Sequence, residues 1–104
     1  MSNEYIQVAS VQDIKPGKLG CAEVDGHRIL LANIDGEFFA TDDMCTHEDA
    51  SLSTGALRDD CVSCPLHGSR FNVRTGEPRE EPATVALRTY PVRIEGDAVM
   101  VKIS

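Results

Sequence analysis

The 104-residue sequence is short of positive charge: Lys and Arg number 10 against 17 Asp and Glu, a formal net charge of -7, with no basic cluster anywhere along it. A chain of that sign offers little to the phosphates of nucleic acid or to an anionic membrane, and a protein partner with a basic face is its natural complement. Long apolar runs are missing too. No stretch approaches the ~20 apolar residues of a membrane span, and the start, MSNEYIQVAS, has neither the basic residues nor the apolar run of a secretion signal. The expectation is a cytoplasmic, soluble protein. No segment sustains a helical apolar period over about ten residues, and there is no internal repeat or low-complexity tract. A G-x-G-x-x-G following a strand is absent, as is a nucleophile with a convincing base, so dinucleotide binding and nucleophilic catalysis lose their usual signatures. A chain this short has no room for a second lobe, and residues 1–104 are expected to form one domain.

Short strands are what the sequence does contain. Apolar alternation in YIQVAS (5–10), the β-rich HRILLANI (27–34) and EFFAT (37–41), and the later RTYPVRI (88–94) and AVMVKI (98–103) all read as strands. Between them VDGH, IDGE and IEGDA carry the Asp-Gly or Gly-Asp pairs that close tight hairpins. The expected fold class is all-β, an antiparallel meander with at most one helical turn in QDIKPGK. Residues 42–84 break this pattern: Cys, His, Gly, Pro, Asp and Ser accumulate there, with short apolar pieces only at 61–64 and 70–73. A stretch so poor in core residues needs something besides burial to order it.

That something is suggested by the cysteines. In a reducing compartment four cysteines in a small chain point to metal before they point to disulfides. DDMCTHEDASLSTG supplies Cys45-x-His47; after sixteen intervening residues CVSCPLHGSRF supplies Cys64-x-x-His67. A thiolate and an imidazole one or two residues apart can point from one loop toward a common centre, and two such loops make four ligands. Zinc would accept two Cys and two His, but its structural sites usually place like ligands together. One of each kind per loop suits a two-iron cluster in which one iron takes both cysteines and the other both histidines. Cys21, within the strand-like LGCAEV, and Cys61 fall outside this set: Cys61-x-x-Cys64 invites a zinc or redox reading, but Cys64 is already claimed and a strand entering the loop would turn Cys61 elsewhere. His27 follows a turn and reads as a surface histidine, and Asp59 and Asp60 read as a solvated face.

The stretches CTH, CPLHGSRF and RTGEP, with TYPVRIEGD near the end, closely resemble the Rieske proteins, and among them the small ferredoxins that serve ring-hydroxylating dioxygenases. The resemblance runs from about Tyr5 to Ile103. It implies three stacked antiparallel sheets with one 2Fe-2S cluster held at one tip by two loops, about 42–56 and 61–72. It implies Cys45 and Cys64 on the inner iron, and His47 and His67 on the outer. It also implies a monomeric one-electron carrier between an NADH-dependent flavin reductase and the terminal oxygenase of an aromatic ring-hydroxylating dioxygenase. The same module could serve as the small subunit of an assimilatory nitrite reductase or as donor to a haem monooxygenase, and a structural zinc-binding interaction module is the remote alternative.

Charge counting fits the carrier role. Two ferric ions and two sulfides sum to +2, so two thiolates and two neutral imidazoles leave the oxidised centre neutral, where four thiolates would leave it a dianion. An electron enters a neutral centre more easily, which is why Rieske potentials span about -150 to +300 mV while plant-type ferredoxins lie near -400 mV. High-potential respiratory members carry an additional, bridged cysteine in each loop; Ala50 and Leu66 stand at those positions here. Those members also donate to cluster sulfur from a serine and a tyrosine. Ser69 matches the first and Phe71, without a hydroxyl, replaces the second. Glu48 and Asp49, beside a ligand histidine, would further disfavour an added electron. A low potential is expected. Gly68 and Gly76 are expected to allow tight turns and Pro65 to stiffen the second loop. Pro82 in REEPAT is expected to shield the cluster, and Leu52 and Leu66 either seal the tip or pack in the core.

Overall fold

The strand that HRILLANI forms is apolar on both faces, and the fold is layered around it. The computed structural model describes residues 5–44, 50–65, 69–79 and 85–103. Their strands are β1 (Tyr5–Ser10), β2 (Leu19–Val24), β3 (His27–Ile34), β4 (Glu37–Asp42), β5 (Ala56–Arg58), β6 (Cys61–Ser63), β7 (Arg70–Asn72), β8 (Thr89–Tyr90), β9 (Val92–Glu95) and β10 (Ala98–Lys102). They make three antiparallel sheets in the orders β1-β10-β9, β2-β3-β4-β8 and β5-β6-β7. Successive side chains on a strand point to opposite faces. On β3 this sends Ile29 and Leu31 into one core with Val99, Val101, Phe38 and Tyr90, and Leu30 and Ala32 into a second core with Val62, Cys64, Phe71 and Leu87. The β2-β3-β4-β8 sheet is therefore the middle layer, and burial on both sides explains the unbroken apolar run.

The turn reading holds in detail. Asp25-Gly26 joins β2 to β3 and Asp35-Gly36 joins β3 to β4, with Asp25 at φ 49° and Asp35 at φ 52°. Positive φ at both central residues is the twist that suits a two-residue hairpin. A helical turn is present near the expected place, a 3-10 turn at Val11–Asp13 in which Asp13 accepts from the Ser10 N–H at 3.0 Å. It begins earlier than QDIKPGK and ends before Pro16.

Two expectations need correction. The chain is a meander only locally, in β2-β3-β4 and β5-β6-β7. β1 pairs with β10, and β4 with β8, across long sequence separations that hairpin turns do not encode. RTYPVRI is not one strand either. Pro91 has no N–H to give a ladder, and there the chain changes sheets: β8 stays beside β4 while β9 crosses to β10.

Tyr90 marks that crossing. Only 5% exposed, it donates from its hydroxyl to Asp42 Oδ1, and Arg88 lies 5.0 Å over its ring. Burial, and then the Asp42 carboxylate, push the phenol from its ordinary 10 up to about 12. Because the folded state keeps the proton longer, this contribution to stability is fully present below pH 10 and is lost as pH rises through about 12. In the alkaline titration of tyrosinate absorbance, Tyr90→Phe is expected to delete a late step near pH 12. A wild-type titration in which Tyr90 ionises near pH 10 would contradict it.

Candidate functional site

The second ligand stretch sits in a hairpin. β6 and β7 pair through Cys61↔Asn72, Val62↔Phe71 and Ser63↔Arg70, and the Cys64 N–H then donates to the Ser69 carbonyl at 2.7 Å, closing the neck of the loop between them. Cys64 is 2% exposed and packs with Ala50, Leu52, Val62 and Phe71. Ser69 is wholly buried, and its hydroxyl has no hydrogen-bond partner among the described residues. Phe71, at the position where a hydroxyl donor would stand, is core. Leu52 is core as well, so packing accounts for it, and Pro65 is exposed beside Cys64.

Alternation along β6 turns Cys61 to the face opposite Val62 and Cys64, as expected. Its thiol lies 3.6 Å from Asp60 Oδ1, and burial followed by that carboxylate pushes its pKa up, which suits an inert thiol. Cys21 is exposed on β2, and His27 is exposed at the start of β3. Asp59 is exposed. Asp60 is only half-buried surface: its carbonyl accepts from Val73 N–H at 2.9 Å, and its carboxylate is 3.9 Å from the Arg74 guanidinium.

The first ligand stretch leaves the middle sheet at Asp42 and returns as β5 of the third. Met44 and Ser51 form an isolated antiparallel bridge, Leu52 N–H donates to the Asp43 carbonyl at 2.7 Å, and a 3-10 turn at Leu52–Thr54 leads into Gly55. At Gly55 the chain passes so close to the Ser63 carbonyl that a Cβ would overlap it. Gly55→Ala is therefore expected to push apart the return of the first loop and the residue preceding Cys64. Overpacking of this kind costs about 1–3 kcal/mol. Urea unfolding of the loaded protein measures the loss, and an unchanged midpoint would show that the contact relaxes freely.

A third segment is tied down on both sides. Arg79 N–H donates to the Arg70 carbonyl at 2.6 Å and Asn72 N–H to the Glu77 carbonyl at 2.8 Å, while Leu87 N–H donates to Gly76 at 2.7 Å and Asp42 N–H to Arg88 at 2.9 Å. Gly76 has φ 82° and no room for a Cβ against the Leu87 carbonyl, the tight turn expected of RTGEP. Cys45, His47, Glu48, Asp49, Leu66, His67, Gly68 and Pro82 lie outside the described residues. Of the four expected ligands, the structure thus places Cys64. Sequence reasoning missed Gly55 and Asp43. Neither has a periodic signal: one is required by close approach to the Ser63 carbonyl on the neighbouring strand, the other by hydrogen bonds to Ser51 and Ser53.

Residues 4–91 match the family described as Rieske [2Fe-2S] domain. The chain belongs to the Rieske family. It is 46% identical over 97 residues to the ferredoxin component of biphenyl 2,3-dioxygenase from Rhodococcus jostii strain RHA1, covering 93% of this chain and 91% of that one. Among solved structures, the Sphingomonas yanoikuyae B1 ferredoxin superposes with a TM-score of 0.92 at 30% identity, covering 97% of this chain and all of that one (100%). A ferredoxin from a complex of reduced oxygenase and oxidized ferredoxin in carbazole 1,9a-dioxygenase gives 0.90 at 36% identity, covering 96% and 94%. The family's cofactor is the Rieske 2Fe-2S cluster, and the residues present suit it. Cys64 and Ser69, a buried thiol and a buried hydroxyl without a partner among the described residues, stand at the two ends of one hairpin loop, a donor set apt for iron and sulfide, and the family reading displaces the zinc module.

Proposed function

We propose that Cys45, His47, Cys64 and His67 hold the cluster of a single domain spanning residues 1–104, and that this Rieske ferredoxin carries electrons singly from a flavin-dependent reductase to the terminal oxygenase of an aromatic ring-hydroxylating dioxygenase. The observation that carries the reading is the neck of the β6–β7 loop, where Cys64 and Ser69 are both buried, joined through their main chains, and the Ser69 hydroxyl has no partner among the described residues. Around it stand relatives that are ferredoxin components of such dioxygenases. When bound, the cluster supplies one-electron redox chemistry. The chain's part is to bury the thiolate side of the site, to donate toward its sulfur from Ser69, and to present a net charge of -7 that steers it onto basic partner surfaces. Among the described residues no helix is long and apolar enough to cross a membrane; a cytoplasmic monomer completes the reading. Solved nitrite reductase small subunits resemble this chain at 24% and 20% identity, a likeness that supports the fold alone.

Stopped-flow reduction of the oxygenase by NADH, with reductase and with or without this chain, tests the assignment. Fast reduction only in its presence is expected, with a rate that falls as salt rises. Equal reduction in its absence would overturn the carrier role. Reversing charge at Glu48 and Asp49 together is expected to slow the transfer and flatten its salt dependence, with the cluster spectrum retained.

A further inference from the structure

The two ligand stretches are supported differently. The second lies inside one hairpin, whose ladder holds both of its ends. The first leaves from β4 in the middle sheet and returns to β5 in the third, and its neck has one isolated bridge, Met44↔Ser51. Beside that bridge lies Asp43, a wholly buried carboxylate. Oδ1 accepts from the Ser53 N–H at 2.8 Å, and Oδ2 accepts from the Ser51 hydroxyl, from Arg28 Nε and Nη2 at 3.3 Å each, and more weakly from the Cys21 thiol at 3.7 Å. Main-chain bonds repeat the tie: Asp43 N–H donates to the Arg28 carbonyl at 3.0 Å and its carbonyl accepts from Leu52. Arg28 reaches this point because it lies two residues before Leu30, on the face of β3 that looks toward the third sheet.

Asp43 is buried while the Arg28 side chain is half exposed; such a pair contributes little net stability, but it does fix geometry. Here it joins the residue two places before Cys45 to the residues that follow the ligand stretch, across two sheets. We propose that Asp43, held by Arg28, is a positioning residue that clasps the two ends of the first ligand stretch and so sets how Cys45 and His47 are presented to the cluster. This rests on the ligand assignment above.

The test compares the loaded wild type with Asp43→Asn, Arg28→Gln, Arg28→Lys and Ser51→Ala. Arg93→Gln, which breaks the surface pair with Glu95 at 2.7 Å and the guanidinium contact 4.3 Å over the Tyr5 ring, both remote from Asp43, is the control. Cluster release to a chelator is expected to quicken about 10- to 100-fold in Asp43→Asn and Arg28→Gln, with shifted g-values in electron paramagnetic resonance of the reduced protein. Arg28→Lys, which keeps the charge, should recover most of the loss. Amide exchange should rise at residues 51–54 while residues 29–32 of β3 keep their protection. If Asp43→Asn does not fold, Ser51→Ala, which removes the hydroxyl's bonds to Asp43 and to the Ser53 hydroxyl and leaves the charge paired, must move release and g-values in the same direction. Wild-type g-values and release in the folded variants would overturn the proposal, as would exchange rising equally in β3, the mark of a merely structural role. Cys45→Ser is measured alongside. If it keeps its cluster the ligand assignment fails, whereas if it loses it while Asp43→Asn and Ser51→Ala behave as wild type, only the clasp fails.

Discussion

Cys64→Ser is expected to yield a chain that folds but retains no stable cluster, whereas Cys61→Ser and Cys21→Ser retain it. The distinction follows from where the three thiols point. Cys64 is 2% exposed at a loop neck closed by its own N–H to Ser69. Cys61 is on the opposite face of β6, beside Asp60, with a thiol pushed up by burial and so reluctant to ionise. Cys21 is exposed on β2. A serine hydroxyl in place of the Cys64 thiolate is a poor ligand for a soft iron-sulfur centre. The hairpin should survive without the ligand, because its ladder and the core around Val62 and Phe71 do not depend on it. Iron and sulfide analysis, with electron paramagnetic resonance after reduction, decides the matter. A full complement of cluster in Cys64→Ser would remove Cys64 from the ligand set, and His67→Ala is expected to lose the cluster in the same way.

The strands legible in the sequence were those whose character is local. HRILLANI is apolar on every face because both faces are buried, and the Asp-Gly pairs close hairpins through their own backbone preferences. The proposed ligand stretch at Cys64 drew attention because a thiol and an imidazole in one loop leave a spacing. Features made by distant segments meeting were not. The pairing of β1 with β10, the change of sheet at Pro91, and the overlap that excludes a side chain at Gly55 depend on partners that no local period encodes. Asp43 is the sharpest case. In DDMCTH it looks like solvated surface next to a metal site, yet it is wholly buried. Burial alone would push its carboxyl up. The hydrogen bonds from Ser51, the Ser53 main chain and side chain, and Arg28 overcome that and hold it below the ordinary range.

Ser69→Ala is expected to act in opposite directions on the loaded and the empty protein. The Ser69 hydroxyl is buried and unpartnered among the described residues, and leaving such a group unsatisfied costs about 1–3 kcal/mol. Without the cluster, replacing it by a methyl should therefore leave the chain as stable or make it more so. With the cluster, the hydroxyl would have an acceptor in sulfur, and that bond would strengthen as the centre takes on negative charge. Losing it should lower the midpoint. If the bond is worth about 1 kcal/mol more in the reduced state, the one-electron midpoint falls by about 40 mV, since a tenfold change corresponds to about 59 mV. Phe71, fully buried and without a hydroxyl, supplies no second donor to soften the loss. The wild type itself should lie near the bottom of the Rieske range, about -150 mV. Protein-film voltammetry of the two loaded proteins, paired with urea unfolding of the two empty ones, reads both halves. A midpoint that does not move, together with an empty chain that is destabilised by the methyl, would mean that Ser69 serves the fold through a protein partner and does not face the cluster at all.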